Sequence, residues 1–184
     1  PDAAEWHSDM TFTAAPPFAS ILRAVEVPPV GGDTLWASMY SVHDRLDPGF
    51  RRDLEGLSAS HDPGAFRNGP YADRGDDGMN EMLATVGSVV WPVIAHHPVT
   101  ARPYLNVSES YTRWIIGLGA AESARLLTML FDVINRPDHQ VRLRWQRDTV
   151  AFWDNRATQH YAVADYPNHR RVMHRVTVGR DARR

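Results

Sequence analysis

Between residues 18 and 180 the chain offers a succession of short runs rich in β-branched and aromatic residues, but only one segment with sustained helical periodicity. That imbalance constrains the fold more than any other feature. Parallel strands need long crossovers, usually helical, whereas antiparallel strands are joined by short turns. "FASILRAVEVPP" (18 to 29) reads as a strand ended by a proline pair, and "VGGDTLWASM" (30 to 39) as a glycine turn leading into a second strand. "SVVWPVIAHH" (88 to 97) and "RPYLNVSE" (102 to 109) read as further strands, and "HQVRLRWQ", "DTVAFWDN" and "RRVMHRVTVGR" return to β near the end. "SVHDRLDPGFRRDLEGL" (41 to 57) reads as helix broken near Pro48. The clear helix is "AAESARLLTMLFDVIN" (120 to 135), where Leu126, Leu127, Leu130, Phe131 and Ile134 form one apolar stripe and Pro137 follows the end. The expected class is therefore mainly β with helical insertions, an antiparallel sandwich or barrel rather than a doubly wound sheet.

One domain spanning 1–184 is expected, since this length can enclose a real core. Residues 60 to 82, "SHDPGAFRNGPYADRGDDGMNEM", are rich in Gly, Asp, Asn and Pro and read as a mobile loop or lid. A net charge of −2 argues against a nucleic-acid partner, and no apolar run approaches a membrane span. With no cysteine, any metal must be held by nitrogen and oxygen ligands. A cytoplasmic location fits that composition, and the start "PDAAEW" carries no signal-peptide pattern.

Nine histidines are present. His43 and His139 lie in or beside helical segments, His61 in the loop, His96 and His97 at a strand end before Pro98, His169 in a turn, and His174 on the last strand. His43 and His139 have no companion acid pattern, and the others are read as structural or loop residues. "WHSDMTF" differs: in a strand, His7 and Asp9 would point to the same side. Alone, that pair reads first as a solvated strand edge. His160 follows "FWDNRATQ", where a strand ends in a polar turn, and would project into a barrel mouth. Two imidazoles and one carboxylate form the donor set of a facial non-haem Fe(II) site, and a zinc site could use the same ligands. In "HRRVMHRVTV", Arg171 and Arg175 share a strand face about 13 Å apart. They form either a solvated face or two separate anion sites.

Together "WHSDMTF", "GGDTLWASM", "FWDNRATQHYAVADY" and "RRVMHRVTV" resemble the taurine dioxygenase family of Fe(II)- and 2-oxoglutarate-dependent oxygenases, over essentially the whole chain. The resemblance implies a double-stranded β-helix (jelly roll, cupin-like), with His7, Asp9 and His160 as iron ligands. It implies that Thr34 and Arg171 hold the distal carboxylate of 2-oxoglutarate, and that Arg175 holds the anionic group of the primary substrate. Tyr111 falls where taurine-specific members carry a substrate-packing phenylalanine. The implied reaction consumes O2 and 2-oxoglutarate, releases succinate and CO2, and hydroxylates a small anion such as an alkyl sulfonate, taurine among them, or an alkyl sulfate ester. The chain departs from the family pattern twice. Ala3 stands where taurine-specific members have an asparagine that helps bind the substrate amine, and the family's N-terminal part is expected to be missing. The rival expectations are a non-redox metal barrel, such as a zinc hydrolase or isomerase, and an inactive small-molecule-binding fragment. A small-molecule partner is expected, and a homo-oligomer is compatible with all three readings.

Overall fold

The computed structural model describes residues 5–64 and 87–179. Its strands are β1 (Ala19–Glu26), β2 (Thr34–Ser38), β3 (Ser58–His61), β4 (Val89–Pro92), β5 (Ile94–His96), β6 (Pro103–Leu105), β7 (Thr112–Ile115), β8 (Gln140–Leu143), β9 (Val150–Asp154), β10 (Thr158–Ala162) and β11 (Val172–Val178). The helices are α1 (Met39–Arg45), α2 (Pro48–Leu54) and α3 (Ala120–Ile134). Strands form sheets in the orders β11-β1-β9, β10-β2-β8, β4-β3-β7 and β5-β6, and every pairing among the described residues is antiparallel. The chain is thus mainly β with few helices, as the strand-rich sequence predicts. Among the described residues no helix is long and apolar enough to cross a membrane.

Two of these sheets face each other across an apolar layer. In the first, Leu22 lies opposite Ala151 and Arg175, and Ala24 lies opposite Met173. In the second, Trp36 lies opposite His160, and Thr34 opposite Ala162 and Leu143. Directly opposed residues project to one face, so each set lines one side of the layer. Between the sheets Ala24, Trp36, Trp145 and Trp153 are buried, with Leu22, Leu143, Ala151 and Met173 packed against them.

A second, larger core lies where α1 and α3 meet the sheets. Leu127, Leu130 and Ile134 of α3 join Met39, Val42, Ile115 and Leu105 there, and side chains of this size stabilise by about 1.5–3 kcal/mol each when fully buried. Leu126 and Phe131, on the same predicted stripe, are only partly buried at its margin. Beyond the helix, Asn135 accepts a hydrogen bond from Trp6 Nε1 at 2.7 Å, which ties the segment bearing His7 to this core.

The break predicted near Pro48 falls between α1 and α2. Asp47 caps α2, its carboxylate accepting from Gly49 N at 2.7 Å and Phe50 N at 3.2 Å. Some expectations fail. The run 88 to 97 divides at Val93 into β4 and β5, and the run 102 to 109 shrinks to the three residues of β6. His61 does not lie in a loop: it ends β3 and is buried. It sits between the hydroxyls of Thr11, 3.0 Å from Nδ1, and Thr112, 3.2 Å from Nε2. The remainder of the predicted lid, residues 65 to 82, lies outside the described residues, as does Ala3.

Candidate active site

His7 and His160 face each other as an isolated antiparallel bridge. His160 N donates to His7 O at 2.8 Å and His7 N to His160 O at 3.2 Å. Opposed residues in such a pair share a side, so the rings lie 4.2 Å apart, centroid to centroid. His160 is not at a strand end as the sequence suggests; it sits in the middle of β10. The alternation that would mark this strand is hidden because both of its faces bury polar groups. Gln159, on the opposite face, is buried with its amide donating to Val107 O.

Asp9, two residues beyond His7, projects to the same side. Its Oδ1 lies 4.0 Å from His7 Nε2 and 3.8 Å from His160 Nε2, and one donor atom from each of the three lies within 4.8 Å of the others. All three residues are buried. Among the described residues no strand partner continues past the His7 bridge, and Asn155 takes that place. Asn155 Oδ1 accepts from Asp9 N at 2.7 Å, and its Nδ2 donates to Asp9 O at 3.0 Å and Pro17 O at 2.8 Å. Ser20 Oγ donates to Asp9 Oδ2 at 2.7 Å and Arg175 Nη1 to Oδ1 at 3.0 Å, which fixes the carboxylate plane.

These protonation states suit a divalent metal. His7 Nδ1 lies 2.8 Å from Glu5 O; a carbonyl only accepts, so the ring proton belongs on Nδ1 and the lone pair on Nε2. Burial lowers the pKa of His7 and, with the adjacent His7 ring, that of His160, so both are neutral imidazoles near pH 7. For Asp9 burial opposes ionisation, yet the Arg175 charge and the Ser20 hydroxyl, both bonded to the carboxylate, outweigh it and hold the carboxyl below its usual range. His160 Nδ1 is buried without a hydrogen-bond partner among the described residues. Two imidazoles and a carboxylate, converging and deprotonated, fit a metal bound on one face.

The second cluster lies further along the inter-sheet layer. Arg171 Nε donates to Gly32 O at 3.0 Å and its Nη2 to Thr34 Oγ1 at 3.4 Å, so the structure brings together the two residues assigned to the cosubstrate. Gly32 adopts φ +70°, and a Cβ there would lie 3.1 Å from Arg171 Cδ, so this turn needs glycine. Trp145 Nε1 also donates to Thr34 Oγ1, at 2.9 Å. Arg171 and Arg175 therefore address different partners. Tyr111 is buried with its ring edge-on to His7 at 5.8 Å and to Phe12 at 4.9 Å; burial, and then the Asp9 charge, push its hydroxyl up to about 12.

Sequence reasoning missed Asn155, Ser20 and Trp145. Asn155 lies inside the quoted "FWDNRATQ" block, and a polar residue among strand aromatics was its signal. Ser20 and Trp145 carry no local signal, since each acts through a partner more than ten residues away. Other histidines have structural partners: His97 Nε2 meets Asp154 Oδ2 at 2.9 Å, and His139 Nδ1 meets Ser41 Oγ at 2.9 Å.

Facing antiparallel sheets carrying a buried two-histidine, one-carboxylate site define a non-haem metalloprotein. The chain belongs to the taurine catabolism dioxygenase TauD, TfdA family, whose model matches residues 1–177. It is 34% identical over 180 residues to an alkylsulfatase of Acinetobacter baylyi, covering 96% of this chain and 56% of that protein. It is 36% identical over 180 residues to an alpha-ketoglutarate-dependent sulfate ester dioxygenase of Pseudomonas putida, covering 96% of this chain and 60% of that one. Among solved structures, AAD-2 in complex with Mn(II) and N-oxalylglycine superposes with a TM-score of 0.85 at 29% identity, covering 97% of this chain and 69% of the other. The chain thus spans somewhat over half the length of these curated relatives.

Proposed function

We propose that this chain carries the catalytic centre of an Fe(II)- and 2-oxoglutarate-dependent dioxygenase acting on small organic anions, alkyl sulfate esters first and alkyl sulfonates second. The observation that carries the reading is the convergence of His7 Nε2, Asp9 Oδ1 and His160 Nε2 in one buried layer with the Thr34–Arg171 pair. The ladder register supports it. His160 lies opposite Trp36, so Thr34 is one diagonal step away, about 7–8 Å between Cα atoms at such positions. A five-carbon diacid, whose four C–C bonds of about 1.5 Å span about 5 Å, is short enough to lie between the two positions. N-oxalylglycine, bound in the AAD-2 structure, differs from 2-oxoglutarate by an NH in place of one methylene. The facing sheets would then be the core of a double-stranded β-helix.

When bound, Fe(II) would supply O2-dependent oxidative decarboxylation of 2-oxoglutarate to succinate and CO2, coupled to insertion of the second oxygen atom into a substrate C–H bond. The chain's residues hold and orient. His7, Asp9 and His160 present neutral and anionic donors on one face, leaving the other face to ligands. Thr34 and Arg171 anchor the distal carboxylate, and Arg175, half exposed beside Asp9, offers a planar fork to the sulfate or sulfonate. Trp36, Trp153 and Met173 exclude water. A hydroxyl placed on the carbon that bears a sulfate oxygen yields a product that breaks to aldehyde and inorganic sulfate. The two sulfate-ester and alkylsulfatase relatives favour sulfate esters over taurine.

The test is 2-oxoglutarate consumption and succinate release by the full-length protein with Fe(II), across alkyl sulfates, alkyl sulfonates and carboxylates. Substrate-dependent turnover that needs O2, greatest with alkyl sulfates, is expected. Hydrolysis supported by Zn(II) without O2 would replace this reading with that of a metallohydrolase.

A further inference from the structure

We infer that Trp145 is a positioning residue for the cosubstrate, acting through Thr34; this rests on the dioxygenase reading above. Thr34 Oγ1 is buried and receives two N–H donors, Trp145 Nε1 at 2.9 Å and Arg171 Nη2 at 3.4 Å. A hydroxyl has two acceptor lone pairs and one proton. With both lone pairs occupied, the proton can only be donated, and in a direction away from both donors. The hydroxyl is thereby set as a donor before any ligand arrives. A carboxylate only accepts, so the arrangement selects an anionic oxygen at this spot over a hydroxyl or amide that would need to donate.

The Trp145 contact is not a general consequence of packing in this cluster. Trp36 and Trp153 are buried in the same layer, and their indole nitrogens have no partner among the described residues. Trp145 is held by its neighbours, its ring 6.2 Å from that of Trp36 at 57°, so the N–H direction is fixed by the core. Arg171 is fixed separately, through Gly32 O. Thr34 therefore stands between two independently anchored donors, and removing either one frees its hydroxyl to rotate. A purely structural role would predict a stability loss on substitution with no change confined to the cosubstrate.

The experiment is calorimetric titration of 2-oxoglutarate into Mn(II)-loaded full-length protein, comparing wild type, Trp145→Phe, Thr34→Val and the double variant. Phenylalanine keeps an aromatic ring and removes the N–H. Trp145→Phe is expected to weaken 2-oxoglutarate binding roughly threefold to tenfold, the worth of one net hydrogen bond. In the Thr34→Val background the same change should cost little more. In turnover, the rise should fall on KM for 2-oxoglutarate, with kcat at saturation and KM for the primary substrate within about twofold. Should Trp145→Phe not fold, incorporating the benzothiophene isostere removes the N–H at constant shape. Equal losses in both backgrounds, or no loss in either, overturn the inference and leave the dioxygenase reading intact. If wild type itself binds no 2-oxoglutarate, the dioxygenase reading fails, and the inference with it.

Discussion

Asp9 divides its two oxygens between two tasks. Oδ1 faces both imidazoles and Arg175, while Oδ2 is held by Ser20. Losing an outer partner of a metal ligand typically costs tenfold to a hundredfold in affinity. Ser20→Ala should therefore weaken Mn(II) binding by about that factor without unfolding the protein, as read by metal titration; unchanged affinity would mean Asp9 needs no such brace. The two arginines give a second prediction. Arg171 and Arg175 meet different partners, so their losses should separate in steady-state kinetics. A lost charge-assisted contact costs about 1.5–3 kcal/mol, or roughly tenfold to a hundredfold. Arg171→Ala should raise KM for 2-oxoglutarate with every substrate. With the metal kept saturating, because Arg175 also braces Asp9, Arg175→Ala should raise KM for the anionic substrate and spare uncoupled 2-oxoglutarate decarboxylation, and Arg175→Lys should recover only part of the loss. If Arg175→Ala shifts the cosubstrate constant instead, the assignment is reversed. At this scale the sequence pointed to His7, Asp9 and His160 through their residue types, and these the structure brings together, whereas Thr34 came from the family resemblance alone. It was silent on Ser20 and Trp145, whose roles exist only once β1 and β2 are in register with their neighbours.

Among the elements, the segment around His7 has the least regular support. One backbone bridge pairs it with β10, side-chain bonds from Trp6 to Asn135 and from Ser8 to Thr158 O add to that, and beyond the bridge the Asn155 amide stands in for a strand. Asn155 can do this because its carbonyl and NH2 reproduce the acceptor and donor of a peptide unit. Replacing it with leucine would leave Asp9 N, Asp9 O and Pro17 O without this partner in a buried place. The expected loss is about 2–4 kcal/mol, from unsatisfied backbone groups. Asn155→Asp would keep an acceptor for Asp9 N but set a negative charge against two carbonyls, so it should be little better. Denaturant midpoints and Mn(II) affinity measured on the same samples would show both falling together; a stability loss with normal metal affinity would separate Asn155 from the site. Long elements such as β1 and α3 were legible because each buries one apolar face. β3 and β10 were not, because "SASH" and "TQHYA" bury polar residues, which erases the period-two signal.

The whole molecule buries several histidines in their neutral form, and this sets its response to acid. Burial lowers His7 and His160, and pushes His61 down to about 4, with the Arg113 charge adding to the effect. An unfolded histidine titrates near 6.5. Between pH 6.5 and 4 the unfolded chain therefore takes up protons that the folded chain refuses, and stability falls as pH falls. For His61 the shift corresponds to on the order of 3 kcal/mol, fully present above pH 6.5 and lost by about pH 4. Asp9 acts in a different window. Its folded pKa lies below the ordinary 3.8, so its contribution holds above that value and disappears only as pH drops through the lower one. Acid unfolding from neutrality down to about pH 4 should thus be driven by histidines, and carboxylates held low, such as Asp9, should matter only below. His61→Gln isolates the part that lies outside the His7–Asp9–His160 cluster, since glutamine can still bond the Thr11 and Thr112 hydroxyls but cannot take a proton in this range. Urea midpoints measured from pH 7.5 to 4.5 should fall less steeply for His61→Gln than for wild type, whatever its stability at neutral pH. Parallel curves would show that His61 titrates alike in both states. Saturating Mn(II) should raise the wild-type midpoints across this range without flattening the curve, because folded His7 and His160 already hold no proton for the metal to displace.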